Sequence, residues 1–399
     1  MKIKQIRPVL LSAPYAKINE NLEVDFHLHS GYRTVGMVEI TLENGLKGYG
    51  EGYLAVFAPH VFVEIVNLIT PYIIEENIRD IEHLLRKIGM ITGYWGYQGA
   101  AQHVVSAFDI AIHDCKAQLL GIPVYQLYDP KAKNTIKLYG SGGDSPSPEL
   151  LKKEFEYLNS LGINIFKIRA RKNQVEKARF ALKEGLKYGI EIAIDMTQNL
   201  ANPGQNIDEV VAFHEEICAI SGFKLFFLEE VLGLYDGDRY PDLRKQTDTL
   251  IAGGEVVTTS KELNRRIEQG WYDIVQPDAT VIGGITALCE VFKKASQYNT
   301  QVFVHCWGGP VCMAANYHSA LAFKGEVAEW PMPYYPLRDE MMIEPWSIKN
   351  GGLTIPKIPG LGIKLNRDIE EKYQFRETAI YSCIPKEIEL IPDEQWNRT

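Results

Sequence analysis

The chain has 399 residues, 46% hydrophobic and 23% charged, which is ordinary for a globular protein and long enough for two domains. Its formal net charge of −9 argues against nucleic acid as a partner, since nothing in the chain would neutralise a row of phosphates. No run of eighteen apolar residues occurs, so we expect no membrane contact, and six scattered cysteines without metal-like spacing predict reduced thiols in a cytoplasmic protein.

Residues 1–130 are predicted to form a separate α+β domain. Three segments have the composition of strands, IKQIRPVLL, TVGMVEITL and LKGYGEG, and the ENG turn signal lies before the third. Two helical patterns follow, HVFVEIVNLITPYI, which we expect Pro71 to interrupt, and AAQHVVSAFDIAIHDCKAQLLG. Strands followed by helices, without alternation, are typical of an α+β domain.

Residues 131–355 alternate between strand and helix patterns, which predicts a (β/α)₈-type barrel starting at TIKLYGSGG (135–143). The first barrel helix has clear boundary signals, with Ser147 as N-cap, Pro148 at the first helical position and Gly162 at the end. Further helices are predicted at 175–188, 206–221, 259–268, 285–298 and 310–322. Residues 356–399 leave the barrel, and we expect them to pack back on the first domain.

Seven predicted barrel strands end in ionisable residues. Because the chemistry of such barrels lies at the carboxyl ends of the strands, these residues are the candidate site. They are Lys167 and Arg169 in FKIR, Asp195 in IAID, Glu229 in FFLE, Glu255 in AGGE, Asp278 in VQPD, His305 in VFVH and Glu329 in VAE.

Asp195, Glu229 and Glu255 end three consecutive predicted strands. Three neighbouring carboxylates repel one another unless a cation holds them together, and oxygen ligands without His or Cys suit Mg²⁺. The alternative is that one or two of these acids are salt-bridged or capping residues. Glu230 should point to the opposite side of the strand and have a structural role.

Lys167 and Arg169 are two residues apart on one strand, so both face the same way. Two cations at the mouth of a barrel can hold a substrate carboxylate or carry protons, although arginine stays charged in practice. The alternative for Arg169 is a simple ion pair with an acid of the metal cluster.

Asp278 and His305 end the next two strands. A carboxylate beside an imidazole fixes its tautomer and raises its basicity, which predicts a general base. The histidines in or beside predicted helices are interpreted as structural: His60, His83, His103, His113, His214 and His318. Distal substrate groups should meet the loops at 23–33 and 55–60, where His27, His29, Tyr32 and Arg33 either bind hydroxyls or a second carboxylate or are surface residues.

With these motifs the chain resembles the mandelate racemase subgroup of the enolase superfamily. The resemblance implies an α+β capping domain over a modified (β/α)₇β barrel, three Mg²⁺ ligands, an Asp–His dyad, a hydrogen bond from Glu329 to an enediolate, a carboxylate-neutralising Lys167, and a homo-oligomer. The motifs that carry it are KIR (167–169), IDMTQNL with Asp195, LEEV with Glu229, GGEVV with Glu255, QPDATVIGG with Asp278, VHCWGG with His305, and AEWP with Glu329.

Arg169 departs from the Lys-x-Lys motif of this subgroup, in which the second lysine usually serves as a base. With arginine there, His305 remains as the base, and a one-base site favours β-elimination over racemisation. The leading hypothesis is therefore a dehydratase (hydro-lyase) of sugar acids, aldonates or aldarates, that forms a 2-keto-3-deoxy acid. A cycloisomerase of a sugar lactone or anhydro-sugar acid is the second hypothesis, suggested by HCWGG, and an epimerase or racemase is the third.

Overall fold

The protein is described here from a computed structural model. The structure describes residues 1–24, 30–145, 147–201, 203–219 and 223–381. Within these ranges no helix has both the length and the apolar character needed to cross a membrane. The five cysteines among them are free thiols, three of them buried.

The N-terminal part of the chain forms a three-stranded antiparallel sheet covered by three helices. The strands are β1 (Ile3–Pro14), β2 (Tyr32–Leu42) and β3 (Lys47–Glu51), in the order β1-β2-β3, and the helices are α1 (Pro59–Ile73), α2 (Ile81–Thr92) and α3 (Ala100–Leu120). The predicted break at Pro71 is wrong, because α1 runs through it. Only two residues of the helix follow Pro71, so the proline removes little of the helical hydrogen bonding.

The second part of the chain alternates strands and helices. Its parallel strands are β4 (Thr135–Ser141), β5 (Ile165–Arg169), β6 (Glu191–Asp195), β7 (Leu225–Glu229), β8 (Leu250–Gly253), β9 (Ile274–Val275), β10 (Gln301–Val302) and β11 (Val327–Pro331). Its helices are α4 (Pro148–Leu161), α5 (Val175–Tyr188), α6 (Ile207–Cys218), α7 (Tyr240–Leu243), α8 (Ser260–Glu268), α9 (Gly284–Tyr298), α10 (Pro310–Ala322) and α11 (Leu337–Glu340).

The parallel strands close into a ring. Neighbouring strands pair in order from β4 to β10, β11 pairs with β4, and a bridge between Val304 and Ala328 joins the two remaining edges. Inside the ring one apolar layer receives a side chain from each of the eight strand segments, which is how a barrel core is filled. The layer consists of Tyr139, Ile165, Ala193, Phe227, Ala252, Ile274, Phe303 and Val327.

The predicted helix boundaries in the barrel are confirmed to within about three residues. For α4, the Ser147 side chain accepts a hydrogen bond from the N–H of Leu150, Pro148 opens the helix, and Gly162 ends it in the left-handed conformation. These signals work locally, because each satisfies helix-terminal groups or supplies a backbone angle without help from the rest of the fold.

The segment after the barrel runs back along the N-terminal sheet. A short hairpin of β12 (Ser347–Lys349) and β13 (Gly352–Thr354) pairs antiparallel with the start of β4, and α12 (Arg367–Lys372) follows. Arg7 of β1 bonds to Glu370, and the Ser12 N–H donates to the carbonyl of Tyr373. The segment at 367–373 therefore packs on the N-terminal sheet, as expected for the residues after the barrel.

Candidate active site

The candidate residues form a polar layer directly above the apolar layer of the barrel. Side chains two residues apart on a strand share a face, so each position two beyond the apolar layer also points inward. On six strand segments this rule leads to Lys167, Asp195, Glu229, Gln276, His305 and Glu329.

Three predicted residues fall outside this rule: Arg169, which is four residues beyond the apolar position Ile165 of β5, and Glu255 and Asp278. The expectation that each candidate lies at a strand end is also corrected, since His305 follows β10 by three residues. Asp278 follows β9 by three residues, and Glu255 follows β8 by two. Glu329 lies within β11 rather than at its end. The loops after the short strands β8 and β9, not the strands themselves, therefore position Glu255 and Asp278.

A cavity of about 400 Å³ lies above the polar layer, between the barrel mouth and the N-terminal part of the chain. Five predicted residues line it: Lys167, Arg169, Asp195, Glu255 and His305. Glu229, Asp278 and Glu329 are fully buried and do not line it. Asp278 and Glu329 act on the cavity through His305 and Lys167, which they hold.

Lys167 is held as a cation by two buried carboxylates. Its Nζ pairs with Glu229 and lies 2.9 Å from Glu329 Oε1. Burial alone lowers the pKa of Lys167, but the charges of Glu229 and Glu329 outweigh it, and the pKa is raised well above its ordinary value. The same pairing, against the effect of burial, lowers the pKa of Glu329 to about 2.

Arg169 is fixed between an aromatic ring and two acids. Its guanidinium lies 4.3 Å from the centre of the Trp307 ring and 3.6 Å from both Asp144 Oδ2 and Asp195 Oδ2. Burial opposes the charge, yet the carboxylates of Asp144 and Asp195 raise the pKa of Arg169 above its already high value. Arg169 therefore presents a fixed positive charge to the cavity.

The three predicted metal ligands interact electrostatically, but their side chains do not form a ligand cluster as they are positioned. Asp195 and Glu229 are register partners on β6 and β7, and burial together with the neighbouring carboxylates raises the pKa of both, that of Glu229 to about 8. Within the described ranges no three His, Cys, Asp or Glu side chains converge closely enough to hold a metal ion.

Each of the three acids instead accepts a hydrogen bond from another group of the protein. Asp195 accepts from the Thr197 N–H at 2.7 Å, and Glu255 accepts from Asn199 at 2.8 Å. Glu229 bonds to Lys167 and Gln276 at the base of the cavity. The donor chemistry fits Mg²⁺, since three hard oxygen ligands repel one another here, but the side chains must rotate to share one ion.

Asp278 and His305 form the predicted pair. His305 Nδ1 lies 2.9 Å from Asp278 Oδ2, so Nε2 faces the cavity, 3.4 Å from Glu255 Oε2. Asp278 also accepts from Asn316 Nδ2 at 2.9 Å and from the Thr280 N–H at 2.7 Å. Burial lowers the pKa of His305, but Glu255, Glu329 and Asp278 outweigh it and raise the pKa to about 10.

Several cavity residues escaped the sequence analysis or were given little weight. Arg33 lines the cavity, as do Tyr53, Arg171 and Trp307. His103, interpreted from the sequence as structural, lines it too, at the first turn of α3, and burial lowers its pKa to about 4. Tyr53 directly follows the GYGEG sequence (48–52), and this position was the best signal in the sequence for a cavity residue. The predicted contacts of His27 and His29 lie outside the described residues.

Comparison with known families gives two matches that together span most of the chain. The family described as "Enolase C-terminal domain-like" matches residues 150–369. The family described as "Mandelate racemase / muconate lactonizing enzyme, N-terminal domain" matches residues 14–128.

Individual relatives are distant but align over nearly their whole length. The arabinonate dehydratase of Saccharolobus solfataricus is 26% identical over 84% of this chain and 89% of its own. The D-galactarolactone cycloisomerase of Agrobacterium fabrum is 24% identical over 92% and 97%. The structure of the 3,6-anhydro-D-galactonate cycloisomerase from Zobellia galactanivorans superposes with a TM-score of 0.80 at 26% identity, covering 94% of this chain and 99% of the other.

Proposed function

Because the chain belongs to the mandelate racemase / muconate lactonizing enzyme family of the enolase superfamily, we propose that it is an acid-sugar dehydratase. The reaction removes the proton alpha to the carboxylate of an aldonate or aldarate and expels the β-hydroxyl as water, which leaves a 2-keto-3-deoxy acid. Relatives named as dehydratases of arabinonate, gluconate and galactonate support this choice.

One observation carries the proposal: the described barrel residues that line the cavity include one imidazole base, His305, and no second histidine or neutral lysine. Lys167 and Arg169 face the cavity as cations, and neighbouring carboxylates raise the pKa of both. His103 is an imidazole from the N-terminal part, but burial lowers its pKa to about 4, which makes it a weak base. A racemase needs a proton carrier on each face of the alpha carbon, whereas an elimination can use one.

His305 performs both proton transfers in this proposal. Its Nε2 takes the alpha proton, and the resulting imidazolium donates that proton to the departing β-hydroxyl on the same face, so that water leaves and the enol becomes the keto acid. His305 must be neutral to accept a proton, but the carboxylates of Glu255 and Glu329 raise its pKa and keep it protonated. Positive charge beside these two carboxylates is therefore needed to lower the pKa of His305. Lys167 already balances Glu329.

The enolase superfamily is generally Mg²⁺-dependent. Asp195, Glu229 and Glu255 would hold the ion, which when bound supplies positive charge against the enediolate. Arg169, whose guanidinium stacks on the Trp307 ring, orients the substrate beside the metal site. Lys167 neutralises the reacting carboxylate. The resemblance assigns Glu329 a hydrogen bond to the enediolate, but here its ionised side chain lies behind Lys167 and holds that cation.

A cycloisomerase is the second candidate, favoured by the two relatives of that name and by the HCWGG motif at His305. It shares the removal of the alpha proton but expels a ring oxygen instead of water. The product then has the same mass as the substrate, whereas a dehydration product is lighter by one water.

The test is incubation of the protein with a broad panel of aldonates, aldarates and their lactones in the presence of Mg²⁺. Semicarbazide detects a 2-keto acid, and mass spectrometry distinguishes loss of water from isomerisation. Formation of a keto acid lighter by one water supports the dehydratase. The absence of such a product from every acid in the panel would exclude it, and inversion with solvent deuterium at the alpha carbon would indicate an epimerase.

A further inference from the structure

Arg33, at the start of β2, is a buried cation that the barrel chemistry does not use. It is 4% exposed and lines the same cavity as Lys167, Arg169 and His305. It comes from the N-terminal sheet, so it faces the barrel residues from the opposite wall. A residue in this position is available to a part of the substrate that the barrel residues do not bind.

The surroundings of Arg33 are aromatic rather than acidic. Its guanidinium lies 5.7 Å from the centre of the Tyr15 ring and 6.0 Å from that of Tyr335, and its Nε has no hydrogen-bond partner in the described part of the chain. The Tyr15 hydroxyl is a neutral hydrogen-bond partner. Burying a guanidinium without a counter-ion is costly, so this site favours binding of an anion.

Glu51, a described acid whose charge acts on Arg33, already accepts hydrogen bonds from other groups. Glu51 influences Arg33 less than the three neighbouring tyrosines do. Its two oxygens accept hydrogen bonds from the backbone N–H groups of Gly309, at 2.5 Å, and Cys312, at 2.8 Å. By contrast, Lys167 and Arg169 each pair with two acids of the barrel. Among the described residues no acid forms an ion pair with Arg33, so its charge is available to an anionic group of a ligand.

The size of the cavity suits one small molecule. The ring of Tyr53 lies 6.3 Å from the ring of His305, and the charge of Arg33 acts on Tyr53. A cavity of about 400 Å³ is at the small end of the range for ligand sites, about 300–1,000 Å³. A short acid that reacts at His305 would place its other end near Arg33.

We propose that the substrate carries two carboxylates, as an aldarate does, and that Arg33 binds the one remote from the reacting carbon. This inference rests on the proposed dehydration and narrows its substrate class. Arg33 acts as a specificity-determining residue, because a guanidinium binds a carboxylate through two parallel hydrogen bonds and has no such partner in an aldonate of the same length.

The experiment compares kcat/KM for an aldarate and for the aldonate of the same chain length and configuration. The wild type should prefer the aldarate by about 10- to 100-fold, the usual effect of one hydrogen-bonded charge pair. In Arg33→Met the ratio of the two kcat/KM values should fall toward one, mainly because KM for the aldarate increases. Arg367→Met, at a side chain 89% exposed, is the matched control and should keep the preference.

Two further measurements make the outcome decisive. Arg171 also lines the cavity, but it donates to Thr197 Oγ1 at 2.7 Å. If Arg171→Met abolished the preference for the aldarate and Arg33→Met did not, the inference would be overturned. Equal rates for both acids in the wild type would overturn it too, while leaving the dehydratase proposal intact.

Binding can be measured without turnover if Arg33→Met does not fold. In His305→Asn, the diacid should raise the thermal midpoint more than the monoacid does. An equal effect of both acids would contradict a second carboxylate site. If no acid is dehydrated by the wild type but the diacid stabilises the protein more strongly, the proposed reaction fails and the two-carboxylate site stands.

Discussion

His305 connects three parts of the candidate site, since its imidazole contacts Asp278 on one side and faces Glu255 and Glu329 on the other. Asp278 is itself held by Asn316, Thr280 and the imidazole, and these hydrogen bonds lower its pKa although burial opposes this. An ionised Asp278 keeps Nδ1 protonated and leaves Nε2 for the substrate. The orientation of the base is therefore decided by groups that never reach the cavity.

We predict that His305→Asn lowers the rate of keto-acid formation by about 10²- to 10⁴-fold, the usual contribution of a general base. The substitution removes the proton acceptor but keeps a side chain able to hydrogen-bond, so the thermal midpoint should change little. His60→Asn is the control, because His60 is 66% exposed and pairs with Glu377 away from the cavity. Turnover close to that of the wild type in His305→Asn would show that another group is the base.

Glu51 should make folding stability depend on pH near neutrality. Burial raises the pKa of Glu51 to about 7, against about 4.3 in an unfolded chain. Between these values the folded protein retains a proton that the unfolded chain releases, so the contribution of Glu51 to stability is lost as pH rises through this window. The loss amounts to about 4 kcal/mol when complete.

Glu51→Gln removes the titrating group. It also changes the free energy of unfolding by an amount that does not depend on pH, because a hydrogen bond is lost. Denaturant unfolding of both proteins from pH 4 to pH 8 measures the effect. The stability of the wild type relative to Glu51→Gln should decrease as pH rises to about 7 and then level off. Parallel stability curves across the whole range would show that Glu51 keeps an ordinary pKa.

At the scale of elements, the packing of α3 on β3 depends on glycines at alternate positions of the strand. A Cβ added at Gly50 would lie 1.8 Å from the carbonyl oxygen of Ala107, and one at Gly48 would lie 2.7 Å from that of Ala111. Both obstacles are helix backbone, which cannot move aside as a side chain can. This contact sets the position of Glu51 and Tyr53, which follow directly in the sequence.

Two glycine-to-alanine substitutions should therefore have opposite effects. Gly50→Ala should destabilise the protein by several kcal/mol, since overpacking against backbone separates α3 from the sheet. Gly89→Ala, inside α2 with no atom within 4 Å of the added methyl group, should stabilise it by about 0.5–1 kcal/mol through helix propensity. Thermal unfolding measures both. Equal effects would mean that the close approach at Gly50 is not required.

The elements themselves were largely predictable, and the exceptions have physical causes. Alternation of apolar residues and helix caps led to the barrel strands and helices, because both signals are local. The β12–β13 hairpin was not predicted, since its three-residue strands are stabilised by pairing with β4 rather than by their own composition. Helix α2 was also missed.

For the molecule as a whole, the cavity exists because two parts of the chain close over the barrel mouth. Residues 1–120 supply Arg33, Tyr53 and His103, while the barrel supplies the charged layer. Arg7 of the N-terminal sheet also bonds to both Glu39 and Glu370, which joins the segment after the barrel to this part of the chain.

Mg²⁺ should stabilise the folded protein by binding between Asp195, Glu229 and Glu255. An ion that binds only the folded state at 100 times its Kd contributes about 2.7 kcal/mol. The gain in thermal midpoint should increase from pH 6 to pH 8, because protons compete for Glu229, whose pKa burial raises to about 8. Asp195→Asn should lose most of this gain.

The control for the metal measurement is Asp242→Asn, a surface acid paired with Lys245 and 64% exposed. This variant should respond to Mg²⁺ as the wild type does. A thermal midpoint that is insensitive to Mg²⁺, or that responds equally in Asp195→Asn, would contradict the assignment of these three acids as the ligands.

Local sequence patterns identified the ionisable residues at the ends of the barrel strands, because strand and helix signals follow from local backbone geometry. Lys167, Asp195, Glu229, His305 and Glu329 were all found on that basis, and Arg33 was named as a candidate for binding distal substrate groups. The sequence could not distinguish the barrel residues that reach the cavity from those buried behind it, nor could it place His103 at the cavity. These outcomes depend on contacts between residues more than a hundred positions apart, which only the closed tertiary structure brings together.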